Sequence, residues 1–273
     1  MTSTYKLTRI EHAVELATTL SRSWFRGHAR VHGELTPRIF RIQYENVRKS
    51  RPDVELSLIE AFKRGAPVLE PSMPKQEDHI AWLFLMQHHG APTRILDWTK
   101  SALIALYFVV SEHQLEDGEL WAMYPIALNE HSGFHGIPLP NHPILHYFTL
   151  EARSDPKKLI KLIEKLGLPE IPTHPLAVEP PMNFPRMVAQ LSTFTMHPVP
   201  KPGNSIPELL PDEKHLVRYI IPSASKEKLR RDLAALGVTH GTLFPDLDSL
   251  AIDIIYEHQV VAYSPPVPPR WAA

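Results

Sequence analysis

Two short runs concentrate the side chains that could do chemistry. The first is Trp24-Phe25-Arg26-Gly27-His28, where a guanidinium and an imidazole follow two aromatics. The second is Gln87-His88-His89-Gly90-Ala91-Pro92-Thr93-Arg94-Ile95-Leu96-Asp97-Trp98-Thr99, the densest polar run in the chain. A planar guanidinium such as Arg26 or Arg94 can hold a phosphate or carboxylate through two parallel N–H bonds. Gly27, beside Arg26, would let a ligand approach the backbone. An unperturbed imidazole titrates near neutrality, which suits a residue such as His88 or His89 to acid–base work or hydrogen bonding to a ligand. Asp97 offers a fixed charge that could orient Arg26, Arg94 or a ribose, and Thr99 and Ser101 add hydroxyls. Each residue also has a purely structural reading. Arg26 and Asp97 could pair to tie two elements together, Asp97 could cap a helix, and one of the histidines could pack on Trp82 or Trp98.

Metal binding fits this pattern poorly. Neighbouring residues on a helix point about 100° apart, so His88 and His89 cannot share one ion from a regular turn. His28 and His32 have a useful spacing only if helical, and Gly27 and Gly33 oppose that. Asp246 and Asp248 lack a third acid at motif spacing, so a metal-dependent nuclease is the least favoured reading and no metal is expected. With no cysteine in the chain, disulfides, thiolate nucleophiles and cysteine-based zinc sites are excluded. No glycine-rich phosphate loop or Gly-x-Ser-x-Gly elbow is present.

The elements that must position these groups follow from periodicity. Ile10 to Leu20 has helical spacing that ends before Ser21. A helix from Pro52 or Asp53 to Lys63 is expected, with Asp53 as its cap and Gly65 and Pro67 as its stop. From Glu77 or Asp78 a mostly buried helix should end at Gly90 in the left-handed conformation, with His88 and His89 in its last turn. Thr93 to Trp98 reads as a strand. It leads into an apolar helix from Ser101 to Val110, capped by Thr99 or Ser101 and too short to span a bilayer. Glu119 to Leu128 reads as a strand, with Pro125 at its edge or end. Residues 129–185 look like an insertion whose prolines, among them Pro169, Pro172, Pro175, Pro180 and Pro181, favour surface loops around one helix ended by Gly167. A βαβ-like portion follows: Ser192 to His197, Leu216 to Pro222, then a helix from Lys226 to Leu236 capped by Ser225. Asp246 and Asp248 read as helix caps after the turn at 241–248.

At 273 residues, one α+β domain over 1–262 is favoured, with a Pro-rich tail at 263–273. The sheet is expected to be mixed and largely antiparallel, with flanking helices. The 29 basic and 30 acidic residues cancel, so no global field draws the protein to nucleic acid or an anionic membrane. The N-terminus lacks a signal-like apolar core, and the cytoplasm is the expected location.

Three blocks in order resemble the FRG domain, a bacterial family named for Phe-Arg-Gly. They are Phe25-Arg26-Gly27 with Leu35-Thr36-Pro37-Arg38-Ile39-Phe40-Arg41; Trp82 through Thr99 and on to Tyr107-Phe108; and Arg186-Met187 to Gln190, Phe194-Thr195 and Leu243-Phe244-Pro245-Asp246-Leu247. The resemblance spans roughly residues 20 to 250, with Leu191 where the family has Gly after the Gln. The aromatic-Arg-Gly element is also similar to the arginine element of ADP-ribosyltransferases. That similarity implies that Arg26 helps hold NAD, that Thr99 and Ser101 supply a Ser/Thr element, and that a late Glu completes the site. No Glu-x-Glu follows Gln190. A Gln can bond a ribose hydroxyl but cannot act as a base, so Asp97 would take the charged role.

These readings converge on a pocket holding Arg26, Gly27, His88, His89, Arg94, Asp97, Thr99, Ser101 and Gln190. Arg26, His89, Asp97 and Gln190 are the catalytic candidates. The leading expectation is an NAD-binding, ADP-ribosyltransferase-like toxin or phage-defence effector with a protein or nucleic-acid target and an antitoxin partner. The alternative is a ligand-binding or protein-interaction module without catalysis.

Overall fold

The computed structural model describes residues 4–41, 51–70, 72–152, 156–167 and 173–258. Its strands are β1 (Thr4–Lys6), β2 (Trp24–His28), β3 (Ile95–Thr99), β4 (Gly118–Met123), β5 (Leu176–Val178), β6 (Ser192–Met196) and β7 (Leu216–Ile221). They form one sheet in the order β1-β7-β4-β2-β3-β6-β5. Only β1 and β7 run parallel, and every other pairing is antiparallel. The fold is thus α+β, with a mixed, largely antiparallel sheet.

Alternation along the strands sends Phe25 and Gly27 to one face and Trp24, Arg26 and His28 to the other. On the first face the core is divided. Phe25, Leu120 and Ala122 pack with the helices Ile10–Thr19, Ala102–Val110 and Ser223–Ala235. Ile95, Phe194 and Met196 pack with the helices His79–His88 and His146–Ala152. The opposite face carries one continuous core that includes Trp24, Leu96, Trp98 and Trp121. With cover on both sides, all residues of β4 and β6 are buried, which is why these strands lack a clean apolar–polar alternation.

The seam between the two halves runs between β2 and β3. These strands share a single pair, Phe25 with Thr99, although β2 pairs along its length with β4 and β3 along its length with β6. Continuing the antiparallel register would set Gly27 opposite Asp97. Instead the strands diverge there, and the opening is where the polar runs meet.

Several local expectations hold. Asp78 Oδ1 accepts from the Ala81 amide at the start of His79–His88, and Gly90 has φ +73° just beyond its end. Ser101 Oγ accepts from the Ile104 amide at 3.3 Å and caps Ala102–Val110. Asp246 caps Leu247–Glu257 through the Ser249 amide, and Gly167, at φ +62°, follows the helix Pro156–Leu166.

Others are corrected. The helix Arg51–Leu69 continues through Gly65 and Pro67. Pro67 lies inside the helix and removes one N–H from the ladder without ending it. The expected Asp53 cap lies outside the described side chains, and Pro169, Pro172 and the tail at 263–273 lie outside the described residues. Strand β4 ends at Met123, and Pro125 opens a helix, Pro125–His131. At that first position a missing N–H breaks no helical bond. Pro222, not Ser225, is the N-cap of Ser223–Ala235. The last portion is not a βαβ unit, because β6 and β7 lie on opposite sides of β3, β2 and β4. Residues 129–185 are also more than surface loop. Tyr147, Phe148, Leu176 and Val178 are core residues, and β5 extends the sheet. Buried Asn129 acts as a short substitute strand for β5, donating to Ala177 O at 3.0 Å and accepting from the Ala177 amide at 2.7 Å.

Candidate functional site

A cavity of about 840 Å³ opens at the seam. Its wall includes Arg26 and Gly27 from β2, Asp97 and Thr99 from β3, and His88 and His89 at the end of His79–His88. Arg186 and Gln190 border it from the helix Pro185–Ala189 and its C-cap, and Phe244 and Asp246 from the loop before Leu247–Glu257. The two polar runs therefore meet in space.

Arg26 bridges the divergent strands. Its Nη1 donates to the Asp97 carbonyl, supplying by side chain a link that the β2–β3 ladder lacks. The same nitrogen lies 3.9 Å from Asp97 Oδ2, and Arg26 Nε donates to His28 Nε2 at 2.8 Å. Burial lowers the Arg26 pKa to about 10, partly countered by Asp97, so the guanidinium stays charged at neutral pH. Its side chain keeps 16% of its exposure. Among the described residues no hydrogen bond engages Nη2.

Asp97 is placed by a different chain of contacts. Thr93 Oγ1 donates to Gln87 Oε1, and Gln87 Nε2 donates to Asp97 Oδ2 at 2.7 Å. The carboxylate is 57% exposed toward the cavity, so the Arg26–Asp97 contact is an open one rather than a sealed ion pair. Asp97 caps no helix. That role falls to Ser101, while Thr99 Oγ1 accepts from the Ser101 amide.

The histidines do not pack as expected on Trp82 or Trp98. His88 stacks on Phe184, with ring centroids 4.1 Å apart and planes 8° from parallel, and burial lowers its pKa. His89 meets His88 edge-on at 5.0 Å and faces Phe62 at 6.4 Å. Gln190 donates through Nε2 to Leu243 O at 3.1 Å, which ties the end of the short helix His240–Leu243 to the cavity wall.

Three expected site residues serve the fold. Arg94 is fully buried and holds Glu55 through Nε and Nη2, with contacts from 2.6 to 3.0 Å, so its charge is matched internally. Ser101 is a helix cap outside the cavity wall. Gly27 lines the cavity, but a Cβ there would lie 2.0 Å from Ala105 O. Its lack of a side chain lets Ala102–Val110 rest on β2 rather than admitting a ligand.

Sequence reasoning did not place Arg38, Arg41, Arg186, Phe244 or Asp246 in the site: all five served as family markers, and Asp246 also as a helix cap and half of a disfavoured carboxylate pair. Arg38, Arg41 and Arg186 join Arg26 in the cavity wall, against the acids Asp97 and Asp246. Arg38 donates to Gly90 O at 3.1 Å, and Arg186 lies 4.5 Å over the Phe244 ring. The signal for Arg38 and Arg41 was their spacing on one turn, here the helix Arg38–Arg41. Phe184 carried no signal, because only the fold brings it onto His88.

Residues 21–118 match the family model of the FRG domain. That segment is similar to the FRG domain. Its matched segment contributes Arg26, Arg38, Arg41, the Gln87–Gly90 turn, Asp97 and Thr99 to the cavity. Arg186, Gln190, Phe244 and Asp246 come from beyond the FRG match and close the opposite wall. No curated protein and no solved structure matches the chain. Among the described residues, no group of three His, Asp or Glu side chains is placed to hold a metal ion. Likewise no helix is long and apolar enough to cross a membrane.

Proposed function

We propose that the cavity binds a phosphorylated nucleotide through Arg26, that NAD is the ligand and that ADP-ribosyl transfer is the reaction. The observation that carries this reading is the Arg26 guanidinium. It is held at Nε and Nη1, stays charged and has Nη2 unengaged among the described residues, at the edge of a cavity large enough for a nucleotide. Arg38, Arg41 and Arg186 outnumber the two acids of the wall, which favours an anionic ligand. His88 and Phe244 bring aromatic rings to the wall, already stacked on Phe184 and His240 respectively.

In transfer, the bond between ribose C1′ and the nicotinamide nitrogen breaks, and its electron pair leaves on neutral nicotinamide. An acceptor nucleophile forms the new bond at C1′ and releases its proton. Asp97 stabilises the positive ribose or takes that proton, Gln190 offers its amide oxygen to a ribose hydroxyl, and His89 contributes a second proton carrier at the wall. A toxin or phage-defence role in the cytoplasm, on a protein or nucleic-acid target and with an antitoxin partner, follows from this chemistry.

A second reading is a binding module without catalysis, favoured by the absence after Gln190 of the Glu-x-Glu that the transferase resemblance requires. Calorimetry with NAD on the wild type and Arg26→Ala tests binding, with heat expected only from the wild type. Chromatographic detection of released nicotinamide separates the two readings: tight binding with no release on protein or nucleic-acid acceptors leaves the module. Arrest of bacterial growth on expression, relieved by Arg26→Ala, tests the effector role.

A further inference from the structure

We propose that His28 and Glu119 are positioning residues of the cavity, fixing the roll of the Arg26 guanidinium so that Nη2 meets the anionic group of a bound phosphate. This rests on the proposed nucleotide-binding function. It adds residues that make no ligand contact of their own.

Glu119 is a carboxylate with 0% exposure. A buried charge of this kind is tolerated only when fully hydrogen-bonded. Glu119 Oε1 takes His28 Nδ1 at 2.9 Å and the amides of His32 and Gly33, each at 3.1 Å, and Oε2 takes Arg218 Nε at 2.8 Å. Those donors hold it ionised. An ionised carboxylate accepts only, so His28 must carry its proton on Nδ1. The lone pair then lies on Nε2, which is the atom that receives Arg26 Nε–H at 2.8 Å. With the other tautomer, two N–H groups would face each other across that gap. The charge of Glu119 therefore selects the tautomer, and the tautomer selects the orientation of Arg26.

Sequence and fold explain why the three groups line up. Arg26 and His28 are two apart on β2 and share one face, and His28 is directly opposite Glu119 across the β2–β4 ladder. Arg218, opposite Trp121 on β7, completes the carboxylate's shell from the far side. With Nε committed to His28 and Nη1 to Asp97 O, the guanidinium cannot swing without breaking both bonds. Nη2 is the terminal nitrogen left for a ligand.

The test is titration calorimetry of the full chain with ADP-ribose as the probe, using wild type, His28→Ala, His28→Gln, Arg26→Ala and the Arg26→Ala/His28→Ala pair. Loss of an orienting partner commonly weakens a site by roughly ten- to a hundredfold, and that is the loss expected for His28→Ala. His28→Gln, which retains an acceptor oxygen, should recover part of it. In the Arg26→Ala background, His28→Ala should change nothing further, because its effect passes through Arg26. Arginine Nε–H resonances in a ¹⁵N spectrum give a readout that needs no ligand. The signal that disappears in Arg26→Ala should exchange slowly in wild type and quickly in His28→Ala, with thermal melts confirming that each variant is folded. Wild-type affinity in His28→Ala, an equal loss in both backgrounds, or rapid exchange of the wild-type Arg26 Nε–H would overturn the positioning role. Absence of binding by the wild type would overturn the nucleotide reading together with it, a result distinct from binding that ignores His28.

Discussion

Gly27→Ala separates the packing role of this glycine from a role in admitting a ligand. Gly27 is not in the left-handed region, so alanine meets no backbone penalty there, and the cost is steric. The new methyl would lie 2.0 Å from Ala105 O and 2.9 Å from Val109 Cγ2, whereas ordinary contact begins at 3.4 Å. The helix Ala102–Val110 would have to withdraw by about 1.4 Å, the difference between 3.4 and 2.0 Å. Its residues Ala102, Ala105, Leu106, Val109 and Val110 are 0% exposed and packed between the sheet and the helices Ile10–Thr19 and Ser223–Ala235, so withdrawal strains those contacts or opens gaps. Overpacking of this kind costs about 1–3 kcal/mol, and a clash with backbone oxygen belongs at the upper end. For a chain of 273 residues each kcal/mol moves Tm by roughly 2 °C, so a fall of up to roughly 6 °C is expected. Thermal unfolding followed by circular dichroism measures it. A Gly27→Ala protein that melts with the wild type while losing ligand affinity would refute the packing argument and restore the ligand-approach reading.

Leu191 adopts φ +47° with its side chain 45% exposed. A left-handed L-residue costs about 1–2 kcal/mol, partly offset by the extra chain entropy of glycine, so Leu191→Gly should stabilise by up to about 1 kcal/mol in urea titration; clear destabilisation would contradict this. Arg94→Ala strands Glu55 in the core and should cost about 3–5 kcal/mol, whereas Arg94→Met with Glu55→Leu should come close to wild type in the same assay. If the single and double variants are equally unstable, the internal pairing is misjudged. Burial, aided by Arg26 and its neighbours, lowers His28 from 6.5 to about 4 and His197 from 6.5 to about 3. Below pH 6.5 the unfolded chain binds protons that the folded chain refuses, so stability is full above that pH and falls as pH drops toward those values. Each histidine can contribute about 1 kcal/mol per pH unit in that window. Glu119 is also buried, but its partners hold it at about 2, below its ordinary 4.5, so it adds a loss of the same sign only below pH 4.5. Urea midpoints that stay level between pH 7 and pH 5 would count against neutral burial of the two histidines.

Much of the site was legible because residue type and position coincided with local punctuation. Asp78 and Gly90 bound one helix, Ser101 starts another, and between them the chain can only deliver His88, His89 and Asp97 to one place. Arg26 was legible from its setting between Phe25 and Gly27. Arg94 was misassigned because two arginines in polar runs look alike in sequence. What separates them is Glu55, 39 positions away and reachable only through the packing of Arg51–Leu69. Gly27 was misread for the same reason, since Ala105 O approaches it only in the folded core. Glu119 was invisible as a site residue inside a strand read as apolar, although a lone acid between Gly118 and Leu120 on a buried strand demands donors. The prolines at 67 and 125 misled for different reasons: at a first helical position Pro125 costs no bond, whereas the helix around Pro67 continues despite the bond lost there.

The central claim is that Arg26 presents a charged, oriented guanidinium to an anionic nucleotide. Titration calorimetry of NAD into the full chain and into Arg26→Ala, both shown to be folded by their melts, tests it most directly. Saturable binding by the wild type that is lost or weakened by at least tenfold in Arg26→Ala is the predicted result. Absence of heat from folded wild type, or equal affinity in the two proteins, would contradict it.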